Sequence, residues 1–103
     1  MSGIAENFAE VLKVLANPIR LKILALCLDR ERSSKELREA LGISKPLLIV
    51  HLRKLVDLGL LEYRVELDER KMIVKKYYRT RKDINICINP EILRMILEEI
   101  GKK

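Results

Sequence analysis

The sequence predicts a mainly α-helical domain carrying one β-hairpin, in the order α-α-α-α-β-β-α. Three observations predict it. Apolar residues recur at helical three-and-four spacing as far as Leu58. The pattern then changes to short β-type runs rich in branched and aromatic residues, "LLEYRVEL" and "MIVKKYYRT". It returns to helical spacing in "NPEILRMILEEI". The 103 residues, 49% of them apolar, suit a single domain over 1–103 with a real but modest core.

The first helix is expected over about 4–16, with Ile4, Phe8, Val11, Leu12 and Leu15 on one face. Asn17-Pro18 ends it and starts the next: Asn17 caps, and Pro18 takes a first-turn position where its missing N–H costs nothing. The second helix, Ile19 to about Leu28, is apolar nearly all round, so most of its circumference should be covered. After "DRERSS", Ser33 and Glu36 have capping-box spacing, opening a short third helix that Gly42 stops. Ser44 caps a fourth helix with Pro46 in its first turn, running to Leu58 and stopped by Gly59. Two helices joined by a tight glycine-containing turn form a helix-turn-helix over about 34–58. The hairpin follows over about 60–80, with its tip near Asp68 to Lys71 and no Asn-Gly or Asp-Gly to fix the turn. "RKDINICI" continues the strand or forms a linker. The last helix, about 90–101, carries Ile92, Leu93, Ile96, Leu97 and Ile100 on one face and ends at Gly101-Lys102-Lys103. A helix-turn-helix followed directly by a hairpin is the winged form of the motif. Its terminal amphipathic helices should form a dimer interface from Ile4, Phe8, Val11, Leu12, Ile92, Leu93, Ile96, Leu97 and Ile100.

The charge balance, 21 basic against 15 acidic residues, favours a polyanionic partner. The Lys, Glu and Arg bias suits a thermophile. No run is apolar and long enough for a membrane span, and "MSGIAENFAEVLKVL" lacks the marks of a secretory signal, so a soluble cytoplasmic protein with no membrane partner is expected. Two cysteines without CxxC spacing fit a reducing compartment. No phosphate loop, nucleophile elbow or paired catalytic carboxylate motif is present, so no enzyme is expected.

The runs "VLKVLANPIRLKILALCL", "SSKELREALGISKPLLIVHLRKLVDLGLLEYR" and "KKYYRT" resemble the ArsR family of winged-helix repressors over roughly residues 8 to 80. "LANPIRLKIL", "LGIS" and "HLRKLVDLGLL" carry most of the resemblance, with His51-Leu52, Leu55 and Gly59-Leu60 at the family's spacing. The resemblance implies a homodimeric transcription factor, a repressor by its family, whose fourth helix enters the major groove of double-stranded DNA while its wings lie along the flanks. It would also place metal-binding cysteines near Ser33-Ser34-Lys35, where none stands. A second family site would need His beside carboxylates on the last helix, which offers Glu91, Glu98 and Glu99 alone. Zinc and its relatives require several N or S ligands together, so no metal or other cofactor is expected. Relatives that sense oxidants use a cysteine pair on the second and last helices. Cys27 is out of step with that position and Cys87 precedes the last helix, so both are read as small, mostly buried apolar residues, with a thiol switch as the alternative.

The fourth helix can be divided by its rotation of about 100° per residue. Leu48, Leu52 and Leu55 form the inward stripe. Pro46, Val50, Arg53 and Asp57 lie opposite, Ile49 and Lys54 flank them, and Leu47 and His51 occupy a shoulder. By the resemblance, Lys45, Pro46, Ile49 and Val50 stand where polar base contacts are usual. Apolar groups there remove bidentate hydrogen bonds worth about 1–3 kcal/mol each. Packing against thymine methyls and recognition of DNA shape through phosphates remain available. Expected DNA-binding residues are Ser44, Lys45, Pro46, Ile49, Val50, Arg53, Lys54, Arg70, Lys71 and Lys76. Arg64, Lys75, Arg79, Arg81 and Lys82 add candidate phosphate contacts, while Asp68-Glu69 at the tip oppose minor-groove entry. His51, with no second ligand nearby, is expected to be structural or phosphate-contacting, and Tyr78 to be buried against the helix-turn-helix. An alternative function is a protein-interaction module that uses the apolar patch of Leu47, Ile49 and Val50 to hold an unidentified protein partner. An effector is a further possible partner.

Overall fold

The computed structural model describes residues 3–101. Its elements are α1 (Ile4–Leu15), α2 (Pro18–Leu26), β1 (Arg32–Ser33), α3 (Ser34–Leu41), α4 (Lys45–Asp57), β2 (Leu61–Asp68), β3 (Ile73–Thr80) and α5 (Pro90–Gly101). Met1 and Ser2 of the expected domain, and the Lys102-Lys103 ending read from the sequence, lie outside the described residues.

The expected order is corrected by one strand. β1 pairs antiparallel with β3, Arg32 opposite Tyr78 and Ser33 opposite Tyr77, giving a three-stranded sheet in the order β1-β3-β2. Two residues are too short to show a period of two. Ser33 is extended because it is the N-cap of α3 (φ −76°, ψ 162°), and that backbone lies against a free edge of β3.

The signals at the helix ends act as read. Asn17 Oδ1 accepts hydrogen bonds from the N–H groups of Ile19 (2.9 Å) and Arg20 (3.3 Å). Ser33 and Glu36 close a reciprocal capping box at 3.2 and 3.1 Å, and Gly42 ends α3 in the left-handed region at φ 65°. Ser44 Oγ accepts from Leu47 N, and Asn89 Oδ1 accepts from Ile92 N at 3.0 Å. α1 uses a cap from across the chain: its first N–H, on Ile4, donates to the Glu99 carboxylate of α5 at 2.8 Å. A carboxylate at a helix N-terminus satisfies an orphan donor and meets the favourable end of the dipole. Glu99 thereby ties α1 to α5.

The core is formed by Ile23, Cys27, Leu37, Leu48, Leu55 and Leu61, all essentially inaccessible, with Val14, Leu52, Leu60 and Tyr78 around them. Two expectations shift, in α2 and at Cys87. α2 stops at Leu26 with Cys27 as its cap, and Leu21 and Leu28 are exposed, because α2 packs on α1, α3, α4 and β3 without being enclosed. In α1 the buried residue is Val14, outside the apolar stripe read from spacing. The stripe itself stays half-buried to exposed, and α1 packs beside α5. Cys27 is buried as expected but Cys87 is exposed, since "RKDINICI" is an irregular linker. Burial pushes the Cys27 thiol up to about 11, so its reactive thiolate form is suppressed.

The hairpin is pinned at its base and free at its tip. Thr80 donates from its N–H to Cys27 O (3.1 Å) and from its hydroxyl to Leu24 O (2.7 Å). The β2–β3 register runs from Leu61 opposite Thr80 to Asp68 opposite Ile73. In place of Asn-Gly, the tip turns on Asp68, whose Oδ1 accepts from the N–H groups of Arg70 and Lys71, and on Met72 in the left-handed region at φ 52°. Asp68 is therefore a turn-forming residue, whatever it costs the wing's electrostatics.

Candidate nucleic-acid interface

α4 is placed by its inward stripe. Leu48, Leu52 and Leu55 are buried, which leaves the N-terminal half of the opposite surface open: Leu47, Ile49 (39% exposed) and Val50 (52% exposed). The run Leu47-Leu48-Ile49-Val50 thus contributes one core residue and three surface residues.

His51, on the shoulder, goes inward with only 6% of its surface exposed. Its Nδ1 accepts a hydrogen bond from Arg20 Nε at 3.0 Å, and Arg20 also donates to Val14 O at 3.1 Å. The neutral imidazole therefore joins α4 to α2 and the end of α1, and phosphate contact is ruled out as its role. Burial, then the neighbouring Arg20 charge, hold its pKa below the ordinary value. The folded state accordingly resists protonation that the unfolded chain accepts. Stability should be fully present above about pH 6.5 and decline as pH falls below it. His51 is the sole histidine, so urea unfolding between pH 7.5 and 5 should show this slope, and His51→Gln should flatten it. An unchanged slope in the variant would remove His51 as the cause.

Between α3, α4 and the hairpin lies a groove of about 930 Å³. Lys35 and Arg38 reach it from α3, Lys45, Ile49 and Arg53 from α4, and Tyr63, Val74, Lys75 and Lys76 from the hairpin. The structure therefore brings together four of the expected DNA-binding residues, Lys45, Ile49, Arg53 and Lys76. The cap residue Ser44 and, on α4, Pro46, Val50 and Lys54 are exposed outside that lining, and Arg70 and Lys71 sit at the hairpin tip. Lys35 and Arg38 were missed, although their three-residue spacing already set them on one side of the third helix.

The cations are not equivalent. Among the described residues, Lys45, Arg53, Lys54, Arg70, Lys71, Lys75 and Lys76 form no ion pair, whereas two candidates are occupied. Arg64 is clamped by Glu31 (Nε to Oε2, 2.9 Å) and Glu66 (2.8 Å) and lies 4.6 Å over the Tyr77 ring. Arg81 lies beyond the end of β3 and is held by Asp83 at 2.9 Å. These hydrogen bonds hold the Glu31 and Asp83 carboxyls below their usual range. Both guanidiniums already have carboxylate partners, unlike the other cations named. Tyr78 is buried, as expected, with its ring 5.7 Å from that of Tyr63, and Lys76 lies 5.0 Å over Tyr63.

The region the resemblance assigned to metal ligands has another use: Ser33 is the α3 cap and Glu99 the α1 cap. Among the described residues no three His, Cys, Asp or Glu side chains converge.

An exposed second helix of a helix-turn-helix, set beside a basic hairpin across a shared groove, defines a winged helix-turn-helix module. The family model described as "Bacterial regulatory protein, arsR family" matches residues 17–63. An uncharacterized HTH-type transcriptional regulator of Methanocaldococcus jannaschii is 34% identical over 86 residues, 84% of this chain and 87% of that protein. A probable mercury resistance operon repressor of Streptomyces lividans is 46% identical over 59 residues, 57% of this chain and 47% of that one. The solution structure of a homodimeric winged helix-turn-helix DNA-binding domain from Mycobacterium bovis superposes with a TM-score of 0.62 at 26% identity, covering 99% of this chain and 90% of that one. The chain belongs to the arsR family of bacterial regulatory proteins. It is a transcriptional regulator rather than an enzyme.

Proposed function

We propose that the protein is a repressor that binds duplex DNA as a homodimer, with α4 in the major groove and the hairpin along the flanking backbone. The observation that carries this reading is the groove between α4 and the hairpin, lined from three sides by cations that form no ion pair among the described residues: Lys35 and Arg38, Lys45 and Arg53, Lys75 and Lys76. Two carboxylates, Glu36 and Asp57, share that lining, and the excess of cations beside an exposed helix matches two phosphate backbones flanking a base-pair edge. Ser44, Lys45, Pro46, Ile49, Val50, Arg53 and Lys54 would face the major groove and its margins, and Lys76, Arg70 and Lys71 the phosphates further out.

The homodimer rests on the apolar faces left open on α1 and α5. Leu12, Leu93, Leu97 and Ile100 are exposed, Ile4, Phe8, Val11, Ile92 and Ile96 are half-buried, and α5 contributes no buried residue. A second copy is the simplest cover for such a surface, and the M. bovis domain is homodimeric. Two-fold symmetry then calls for a pseudo-palindromic site with half-sites about 34 Å apart, one helical turn of DNA. A cytoplasmic setting agrees with the absence, among the described residues, of a helix long and apolar enough to cross a membrane. A hot habitat agrees with a composition in which 35% of residues are charged.

Selection from a random duplex library tests the reading. Recovered sequences should share two inverted half-sites about 10 base pairs apart. Failure to retain any duplex at low salt would sink it.

A further inference from the structure

The N-terminal half of a reading helix is the part that meets base edges in a helix-turn-helix complex. In α4 that half presents few groups able to form directional hydrogen bonds. Ser44 Oγ is the helix cap, accepting from Leu47 N, and Pro46 has no N–H or polar side chain. Leu48 is wholly buried and His51 is turned inward onto Arg20. Beyond Lys45, at the first helical position, the outward apolar surface consists of Leu47, of Ile49 on the groove side and of Val50 outside the groove lining. One turn further on stands Arg53, with no ion-pair partner among the described residues.

Exposed β-branched side chains on a helix that also carries Lys45 and Arg53, neither in an ion pair among the described residues, suit one surface in particular: an apolar strip flanked by phosphates. On duplex DNA that strip is the row of thymine 5-methyl groups along the major-groove edge of A·T pairs. Cytosine and the purines present polar atoms there. Facing Ile49 or Val50, those atoms would lose water without gaining a partner. The same surface therefore attracts thymine and disfavours its competitors.

Resting on the DNA-binding reading above, we infer that Ile49 and Val50 are the specificity-determining residues of this regulator, and that they select sites by packing against thymine methyl groups. Lys45 and Arg53 set the register of the helix on the flanking phosphates.

The test uses duplexes that the protein itself selects, resynthesised with deoxyuridine in place of thymidine at single half-site positions, which removes the methyl group and leaves the base pair. Each methyl in contact should contribute about fourfold in affinity, so removing the symmetry-related pair under a homodimer should cost about sixteenfold. Ile49→Ser and Val50→Ser, both surface changes, should bind thymidine and deoxyuridine duplexes equally well at the position each side chain covers. That coupling between side chain and methyl separates packing from DNA shape, because a shape effect would persist in the variants. Salt-dependent binding with no thymidine preference, or a preference undiminished in both variants, would overturn the inference and leave the regulator reading standing. Loss of all duplex binding by the unaltered protein would overturn both. Variants that keep full affinity for the selected site would show that the patch does not face bases, and would return it to contact with a protein.

Discussion

Raising salt from roughly 50 to 200 mM is expected to lower the affinity of the homodimer for its selected duplex by about 10³- to 10⁵-fold. Such a loss follows when several phosphates are neutralised per complex, because each releases condensed counterions. Doubling by symmetry, Lys45, Arg53, Lys54 and Lys76 alone supply enough side chains that form no ion pair among the described residues. The slope of log affinity against log salt, read by fluorescence anisotropy, should fall by about one for each phosphate contact removed, and so by about two per dimer for Lys76→Ala. Arg81→Ala should leave the slope near that of the unaltered protein, since Asp83 already holds Arg81. An affinity indifferent to salt would remove DNA as the partner. Equal slopes for the two variants would contradict the division between free and occupied cations.

Leu93→Asp together with Leu97→Asp is expected to yield a folded monomer whose affinity for a two-half-site duplex is lower by about 10²- to 10⁴-fold. The loss reflects the second half-site, which in the dimer is met at high effective concentration and in the monomer is met independently. Both residues are exposed, Leu97 at 66%, so the charges do not enter the core and helical content should persist in circular dichroism. Sedimentation reads the oligomer and anisotropy the affinity. A double variant that sediments as a dimer with undiminished binding would exclude this face of α5 from the interface.

Local chemistry made most of the helix-turn-helix legible. A cap acts over three residues, and so does its signal: Asn17, Ser33 with Glu36, Ser44 and Asn89 mark the starts of four helices, and Gly42 and Gly59 the left-handed stops. The rotation of α4 likewise follows from spacing, which set Leu48, Leu52 and Leu55 inward. In α1 the buried residue is Val14, while the longer apolar stripe stays half-buried to exposed and the helix packs beside α2 and α5.

The sequence by itself determined the elements, their order apart from β1, the inward stripe of the reading helix and the excess of cations, because propensity, capping and periodicity act between neighbours. Tertiary structure decided which of those cations are available, since Glu31 reaches Arg64 across 33 positions of chain. It likewise turned His51 inward through Arg20, 31 positions away, and made Glu99 the cap of a helix 95 positions earlier. Hydrogen bonds and ion pairs form between whichever groups the fold brings within about 3 Å, and no spacing along the chain encodes that meeting. For this reason the clamp of Glu31 on Arg64 and the inward turn of His51 could not be read from the sequence, whereas the pairs Arg64–Glu66 and Arg81–Asp83 lie only two residues apart.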